Sequence, residues 1–143
     1  MAAIDAARVS IILNALCPVG TSGNPGTTMA ALTASPMKVR LNSTLSTASA
    51  AGTELTGTGY TAGGQAVPAA STASSAGSAV TLPASSALSW TNGSGGAWSI
   101  ASMDLTDSAG VRTFFGPFTG QPISVANGNT FQIAVAGVSI AMS

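Results

Sequence analysis

The spacing of apolar residues changes from a helical period to an extended period near Pro36. Before that point, apolar residues recur at the i, i+3, i+4 and i+7 spacing, at Ile4, Ala7, Ile11, Ile12 and Ala15. This stripe predicts one short amphipathic α-helix over residues 1–17. A stretch rich in Gly, Pro and Thr predicts a loop over residues 18–35. The apolar stripe suits either a cap on the domain or a contact with a partner subunit.

A period of two begins at Met37 and predicts the clearest strand of the chain. One face of this strand is apolar and comprises Met37, Val39, Leu41 and Leu45. The other face is polar and comprises Lys38, Arg40, Asn42 and Thr44. We expect the apolar face to be buried. For the basic side chains on the polar face, we favour a solvated surface over an anion-binding site.

Short extended segments separated by turn sequences fill the second half of the chain. Turns are predicted at Asn92–Gly96, Asp107–Gly110 and Asn127-Gly128, and the last of these predicts a β-hairpin. The apolar positions change phase near Ala101-Ser102, which predicts a bulge at that point.

These segments predict a mainly β fold, an antiparallel β-sandwich or small barrel with one short N-terminal α-helix. No helical pattern separates the strands, which disfavours a parallel α/β fold. We expect residues 1–143 to form a single domain, with the β-sandwich over residues 36–143. The Ala-, Ser- and Gly-rich stretch at about 69–78 predicts a low-complexity loop or arm that needs support from a neighbouring chain.

The composition lacks the side chains that most catalytic mechanisms require. The chain has no His, one Cys, four acidic and four basic residues, so that 6% of its residues are charged. An average soluble domain has roughly 25%. Acid–base catalysis, nucleophilic catalysis and zinc binding need groups that this composition does not bring together. We therefore predict that the protein is not an enzyme and that it has no catalytic, cofactor-binding or metal-binding residues.

Charge and hydropathy also limit the partners. The net charge is zero, so binding to nucleic acid by counterion release is not expected. The longest apolar run, Ile11–Leu13, is far shorter than the ~20 residues that span a bilayer, and no membrane association is expected. The segment Asp104–Gly110 faintly resembles a calcium loop, but its residues fit a hairpin turn that needs no metal.

Two tryptophans, Trp90 and Trp98, flank the Asn92–Gly96 turn. Aromatic rings on either side of one loop can stack on a sugar, whereas aromatic rings on a sheet more often belong to the core. The two tryptophans are therefore candidate glycan contacts, with burial in the core as the alternative.

Several motifs follow one another in order along the chain. Ile11–Leu16 lies in the first segment, and Pro36–Leu41 has the form Pro-x-x-[apolar]-x-[apolar]. Glu54–Tyr60, followed by the apolar Val67, has the form Glu-[apolar]-x-Gly-x-Gly-Tyr. The later motifs are a Trp strand at Trp98, an Asp-x-x-Gly turn at Asp107–Gly110, a break at Gly116-Pro117 and a turn within Ile123–Asn129.

In this order the motifs resemble a family of small virion structural proteins of actinobacterial tailed phages, which are labelled tail fibre or head decoration proteins. The resemblance covers nearly the whole chain, and Glu54–Tyr60 is its most specific part. The strand that reads Ala-Leu-His or Ala-Leu-Tyr in the family reads Val39-Arg40-Leu41 here. The family labels do not distinguish the head of the particle from the tail.

The resemblance implies a structural protein of the virion without catalysis. We expect it to decorate the outer surface of the capsid, where the major capsid protein and copies of itself are its partners. The expected partner contacts are Ile4, Ile11, Ile12, Ala69, Ser71 and Ser74. The alternative is a tail-fibre or tail component that contacts host glycans through Trp90 and Trp98.

Overall fold

The structure, a computed structural model, describes residues 3–4, 36–67, 74–76, 79–81, 86–134 and 139–141. This part of the chain is mainly β, with antiparallel strands in several sheets, and it contains neither a helix nor a closed barrel. The strands in chain order are β1 (Ala3–Ile4), β2 (Lys38–Asn42), β3 (Gln65–Ala66), β4 (Ser74–Ala76), β5 (Ala79–Thr81), β6 (Leu88–Thr91), β7 (Trp98–Ile100), β8 (Ser102–Thr106), β9 (Arg112–Pro117), β10 (Ile123–Val125), β11 (Thr130–Ile133) and β12 (Ser139–Ala141).

Strands β5 to β12 pair in the order of one long antiparallel hairpin. β8 pairs with β9, β7 with β10, β6 with β11 and β5 with β12. The tip is the turn at Asp107–Gly110, where Gly110 has a φ of 85° and its N–H donates to Asp107 O at 3.0 Å. The predicted turn is therefore confirmed.

The pairs of this hairpin belong to different sheets. β8 and β9 lie in a five-stranded sheet of order β1-β9-β8-β2-β3. The pairs β7-β10 and β6-β11 form sheets of two strands, and β4 joins β5 and β12 in a sheet of three. The hairpin therefore changes sheet between successive pairs.

The chain changes sheet at Ala101, where the sequence predicts a bulge. β7 ends at Ile100 and β8 begins at Ser102, so the change of phase that predicted a bulge is a break between two strands of different sheets. Ala101 N–H donates to Asn42 O at 2.8 Å, and Ala101 O accepts from Phe118 N–H at 3.2 Å. These bonds keep the backbone of the junction paired at the point where β7, the partner of β10, ends and β8, the partner of β2 and β9, begins.

The Asn127-Gly128 turn forms, but it does not close a hairpin. Gly128 has a φ of 85°, and Asn129 N–H donates to Ala126 O at 3.0 Å. The strands on either side pair elsewhere, because β10 pairs with β7 and β11 pairs with β6. The hairpin prediction is therefore wrong: local turn chemistry fixes the turn, while the partner of each strand is fixed by tertiary contacts.

Asn92 joins this turn to the neighbouring one at Asn92–Gly96. Its side chain is completely buried, and Nδ2 donates to Gly96 O and Val125 O, both at 2.8 Å. Oδ1 accepts from Ser94 N–H at 2.9 Å, and the backbone O accepts from Gly128 N–H at 2.7 Å. The amide thus satisfies the backbone of two turns at once, as a buried polar group must.

One hydrophobic core collects residues from three of the sheets. Its buried members are Val39, Leu41, Leu55, Leu88, Trp90, Trp98, Ile100, Leu105, Val125 and Ile133. Val39 and Leu41 confirm the predicted apolar face of β2. Leu45, predicted on that face, is 50% exposed, and Asn42, predicted to be solvated, is completely buried. Both predictions are wrong because β2 ends at Asn42 and the following loop covers the polar face of the sheet.

The first two described residues form a strand where the sequence predicts a helix. Ala3 and Ile4 pair with Phe115 and Phe114 of β9, so the prediction is wrong at these residues. These two residues pair with the edge of a strand that is distant in the sequence. The spacing of apolar residues within the segment does not reveal such a pairing. Ile11 and Ile12 of the predicted helix, and the predicted loop 18–35, lie outside the described residues.

Part of the predicted low-complexity arm is a strand. Ser74–Ala76 is β4, and Ser74 pairs with Thr81 of β5. The loop prediction is wrong for these residues. Their small side chains offer little packing, but their backbone pairs with a neighbouring strand, and this pairing makes the segment a strand. Ala69 and Ser71 lie outside the described residues.

The role of Asn92 can be tested with Asn92→Ala, which removes the side-chain donor of the buried Val125 O and one of the two side-chain donors of the part-buried Gly96 O. We expect the free energy of unfolding in urea, followed by tryptophan fluorescence, to fall by about 2–3 kcal/mol. Asn129→Ala is the matched control, since it removes an exposed amide, and we expect a change within about 0.5 kcal/mol. Equal effects of the two substitutions would contradict this role.

Candidate functional site

The face of the five-stranded sheet opposite the core is polar, and it is buried as well. The register of β2 and β8 places Arg40 opposite Asp104 and Asn42 opposite Ser102. These residues alternate with the core residues Val39, Leu41 and Leu105, because successive strand residues point to opposite faces. Asp104 and Ser102 are both 0% exposed. The sheet is therefore covered on both faces.

Asp104 is held by two guanidinium groups and a hydroxyl. Arg40 Nη2 lies 2.5 Å from Oδ2, and Ser46 Oγ donates to Oδ1 at 2.6 Å. Arg112 Nη1 lies 4.0 Å from the same Oδ1. The buried carboxylate is therefore paired with charge and hydrogen-bonded, the condition under which burial of an ion is tolerated.

The loop of residues 43–53, which we call the polar-face loop, folds over this cluster. Ser46 Oγ also accepts from Asn42 Nδ2 at 3.0 Å and from Gly52 N–H at 2.8 Å, so its hydrogen-bonding capacity is filled. A Cβ at Gly52 would lie 2.4 Å from Thr44 O, so the loop closes only with glycine there. Arg112 Nη1 donates to Ala50 O at 2.8 Å. Asp104 and its partners therefore fix the loop.

A second segment, residues 54–67, follows the polar-face loop, and we call it the strap. Glu54 Oε1 accepts from Tyr60 OH at 3.1 Å and from Gly63 N–H at 2.6 Å. Tyr60 Oη in turn accepts from Leu41 N–H at 3.2 Å, and its ring meets Trp98 edge-on with centroids 6.4 Å apart. The Glu54–Tyr60 motif therefore closes part of the edge of β2.

Glycine at position 59 of the strap is required by a close approach to β6. Gly59 has a φ of 93°, and a Cβ there would lie 1.8 Å from Thr91 O. Gly93 N–H donates to Thr58 O at 2.9 Å beside it. The strap thus connects the five-stranded sheet to β6 and to the Asn92 turn.

Burial raises the pKa of Tyr60 far above its usual range, and the negative charge of Glu54 raises it further. The hydrogen bond from Leu41 N–H acts in the opposite direction and does not offset the burial. Tyr60 therefore stays protonated at neutral pH and donates to Glu54, as the geometry requires.

Asp107 organises the tip of the long hairpin. Its Oδ1 accepts from Val111 N–H at 2.8 Å. The backbone turn accounts for the acidic residue here without a metal. The described residues contain no group of three or more side chains of the types that ligate metal ions.

Trp90 and Trp98 are core residues. They are 3% and 4% exposed, respectively, and Trp90 packs against Phe131 with ring centroids 6.1 Å apart. Each lies at a core-facing position of its strand, between exposed residues. Neither ring offers a face to a sugar, so burial removes both from the candidate glycan contacts.

The charged residues of the described chain are confined to one part of the fold. They lie on β2, β8 and β9 and in the adjoining turns and loops, and they are Lys38, Arg40, Glu54, Asp104, Asp107 and Arg112. β6, β7, β10 and β11 carry none. The exposed residues of these four strands are Ser89, Thr91, Ser99, Ser124, Thr130 and Gln132. We call them the neutral surface.

Of the predicted partner contacts, Ile4 and Ser74 are among the described residues, and they lie in different sheets. Ile4 lies in the five-stranded sheet and Ser74 in the three-stranded sheet. Two apolar side chains, Leu45 and Val111, are 50% and 49% exposed, which the sequence does not predict. No sequence signal marks them, because their exposure follows from the course of the two loops that carry them.

Comparison with known proteins gives no assignment: no family model, curated protein or solved structure matches the chain. Among the described residues, no helical segment has the length and hydropathy needed to cross a membrane.

Tyr60 is the chain's sole tyrosine, so tyrosinate absorbance in the near ultraviolet reports its ionisation alone. Folding raises the pKa of Tyr60. The stability that the protonated form of Tyr60 contributes is therefore fully present below about pH 10, the ordinary pKa of tyrosine, and is lost as the pH rises above that value. We expect the native protein to form tyrosinate at a clearly higher pH than the urea-unfolded chain. Glu54→Gln should lower the native pKa partway, because burial remains. Coincident native and unfolded titrations would contradict the buried Tyr60.

Proposed function

We propose that this protein is a non-enzymatic structural component of a bacteriophage particle that decorates the outer surface of the head. Its partners there are the major capsid protein and copies of itself. The observation that carries the proposal is the neutral surface: four strands whose exposed side chains are short hydroxyl groups, apart from the amide of Gln132. The resemblance of the Glu54–Tyr60 segment to the phage family supports the same assignment.

The neutral surface suits permanent attachment in many copies. A charged side chain that enters an interface loses its hydration and must find a partner there. Ser and Thr lose less hydration and less rotamer freedom than Lys, Arg or Glu when they are covered. Association of such surfaces depends on shape complementarity and hydrogen bonds, with little contribution from electrostatic steering.

The described acidic residues support a role without catalysis. Asp104 is enclosed by two arginines and Ser46, and Asp107 binds the backbone of its own turn. Glu54 accepts from Tyr60 and from a backbone amide. Each carboxylate thus stabilises a particular piece of backbone, which explains why a charge-poor chain retains these acids.

For the architecture, we propose an antiparallel β-sandwich with an N-terminal helix following β1. The core shared by three sheets and the long hairpin that changes sheet at its corners support two packed layers. The apolar stripe at residues 7–15 supports the helix. Burial of Trp90 and Trp98 leaves the tail-fibre alternative without its proposed glycan contacts.

The location is tested by imaging particles made with and without the gene for this protein. We expect density on the outer surface of the head that disappears in the deletion particles, while the tail is unchanged. Density on the tail, or absence of the protein from purified particles, would overturn the proposal.

Two matched variants test the neutral surface in the same particles. Ser99→Lys adds a charge to it, and Ala51→Lys adds the same charge to an exposed position of the polar-face loop. We expect lower occupancy on the head for Ser99→Lys only. Equal occupancy of both variants would count against attachment through the neutral surface.

A further inference from the structure

Two Asn-Gly dipeptides lie side by side in the fold. Asn92-Gly93 begins the turn after β6, and Asn127-Gly128 lies in the turn between β10 and β11. Gly128 N–H donates to Asn92 O at 2.7 Å, and Gly95 N–H donates to Asn127 Oδ1 at 2.9 Å. The two turns therefore hold one another through hydrogen bonds that involve both dipeptides.

The Asn-Gly sequence favours deamidation, because glycine has no side chain to hinder the reaction. The glycine nitrogen gives its proton to a base in solution and forms a bond to the asparagine Cγ. The Cγ–Nδ2 bond then breaks, and ammonia leaves with a proton taken from water. Water opens the resulting succinimide ring to give aspartate or isoaspartate. The reaction therefore needs a glycine N–H that can lose its proton, an asparagine side chain that can turn toward it, and water.

Asn92-Gly93 meets none of these requirements. The Asn92 side chain is 0% exposed, and both of its polar atoms make hydrogen bonds. Gly93 N–H donates to Thr58 O at 2.9 Å. A hydrogen-bonded amide loses its proton slowly, because the bond must open first. Asn92 can therefore deamidate only when this part of the structure opens.

Asn127-Gly128 is exposed to water, but the other two requirements are not met. The proton of Gly128 N–H is held by Asn92 O, and the Asn127 side chain is held through its carbonyl oxygen by Gly95 N–H. Asn92 O is itself fixed in place, since the Asn92 side chain is buried and hydrogen-bonded. Attack of the Gly128 nitrogen on Asn127 therefore requires both hydrogen bonds between the turns to break.

We infer that the contact between the two turns suppresses deamidation at both Asn-Gly dipeptides, and that Asn127 is the site that reacts first when the contact opens. The inference is independent of the proposed function, because it uses only the hydrogen bonds between the turns. Deamidation of Asn127 would add a negative charge to a turn that joins two strands of the neutral surface.

The rate of deamidation in the native protein and in the urea-unfolded chain is compared at one mildly alkaline pH. Peptide mass spectrometry locates the sites. We expect Asn127 to react at least about tenfold more slowly in the native protein, because hydrogen bonds must break first. Asn92 should react more slowly still, because it is also buried. Equal native and unfolded rates at Asn127, or reaction of Asn92 before Asn127, would overturn the inference.

Gly95→Asn supplies a matched control, because it creates a further Asn-Gly sequence with Gly96. Gly95 has a φ of 82° and open space around it, which asparagine tolerates, and its backbone N–H is retained. Gly96 N–H has no hydrogen-bond partner in the described part of the chain. We expect the introduced asparagine to react within about threefold of its unfolded rate, while Asn127 stays protected. Equal protection of the two asparagines would assign the effect to turn conformation and overturn the inference.

Asn92→Ala tests the connection between the turns without changing residue 127. We expect Asn127 to deamidate several-fold faster in this variant, because the backbone that holds the Gly128 proton is no longer fixed. Val39→Ala is the control, since it removes core packing in the five-stranded sheet and leaves the turns intact. Both variants are measured under conditions in which they are folded. If Asn127 reacts equally fast in the two variants, global stability protects it and the inference is wrong.

Discussion

The buried ion pair between Arg40 and Asp104 is the contact on which the polar half of the structure depends. A carboxylate without access to water is tolerated only when charge and hydrogen bonds replace its hydration, and here Arg40, Arg112 and Ser46 replace it. Ser46 can serve Asp104 only if the polar-face loop lies across the sheet. The ion pair therefore determines the course of the loop, and the loop in turn buries the face of the sheet that the core does not occupy.

Buried polar groups are also paired inside the protein at the corners of the long hairpin. A strand that changes sheet leaves backbone groups without ladder partners, and each must be satisfied inside the protein. Asn92 does this for two turns, and the Tyr60 hydroxyl does it for the edge of β2. Polar groups are thus used to hold backbone in place, and what faces solvent on the other strands is a surface of small neutral side chains. A structural protein that is covered by its neighbours in an assembly gains from such a surface, whereas a free monomer has little protection against association.

The sequence predicts the local features of this fold better than the long-range ones. The strand at Val39 and Leu41, the turn at Asp107–Gly110 and the interruption at Ala101 all follow from period and turn chemistry, which act over a few residues. The sequence does not reveal which strands pair. Asn127-Gly128 therefore predicts a hairpin where the structure has a corner, and Ile4 fits a helical stripe although it lies in a strand. The burial of Asp104 could not be predicted either, since it requires a register across β2 and β8 and a loop that closes over it. The sequence is compatible with either a glycan contact or burial in the core for Trp90 and Trp98. The alternation of buried and exposed residues along β6 and β7 shows that both belong to the core.

A double-mutant cycle on Arg40 and Asp104 tests most directly whether the few charges of this protein act as internal structural elements. Asp104→Asn, Arg40→Met and the double variant are unfolded in urea, and their free energies of unfolding are compared with that of the wild type. Asp104→Asn alone should cost about 3 kcal/mol, the lower end for a broken buried pair, because the Arg40 side chain retains 18% exposure. The double variant should cost clearly less than the sum of the single variants, since neither charge is then left alone. Additive losses, each within about 0.5 kcal/mol of zero, would contradict the account, because that is the behaviour of a solvated surface pair.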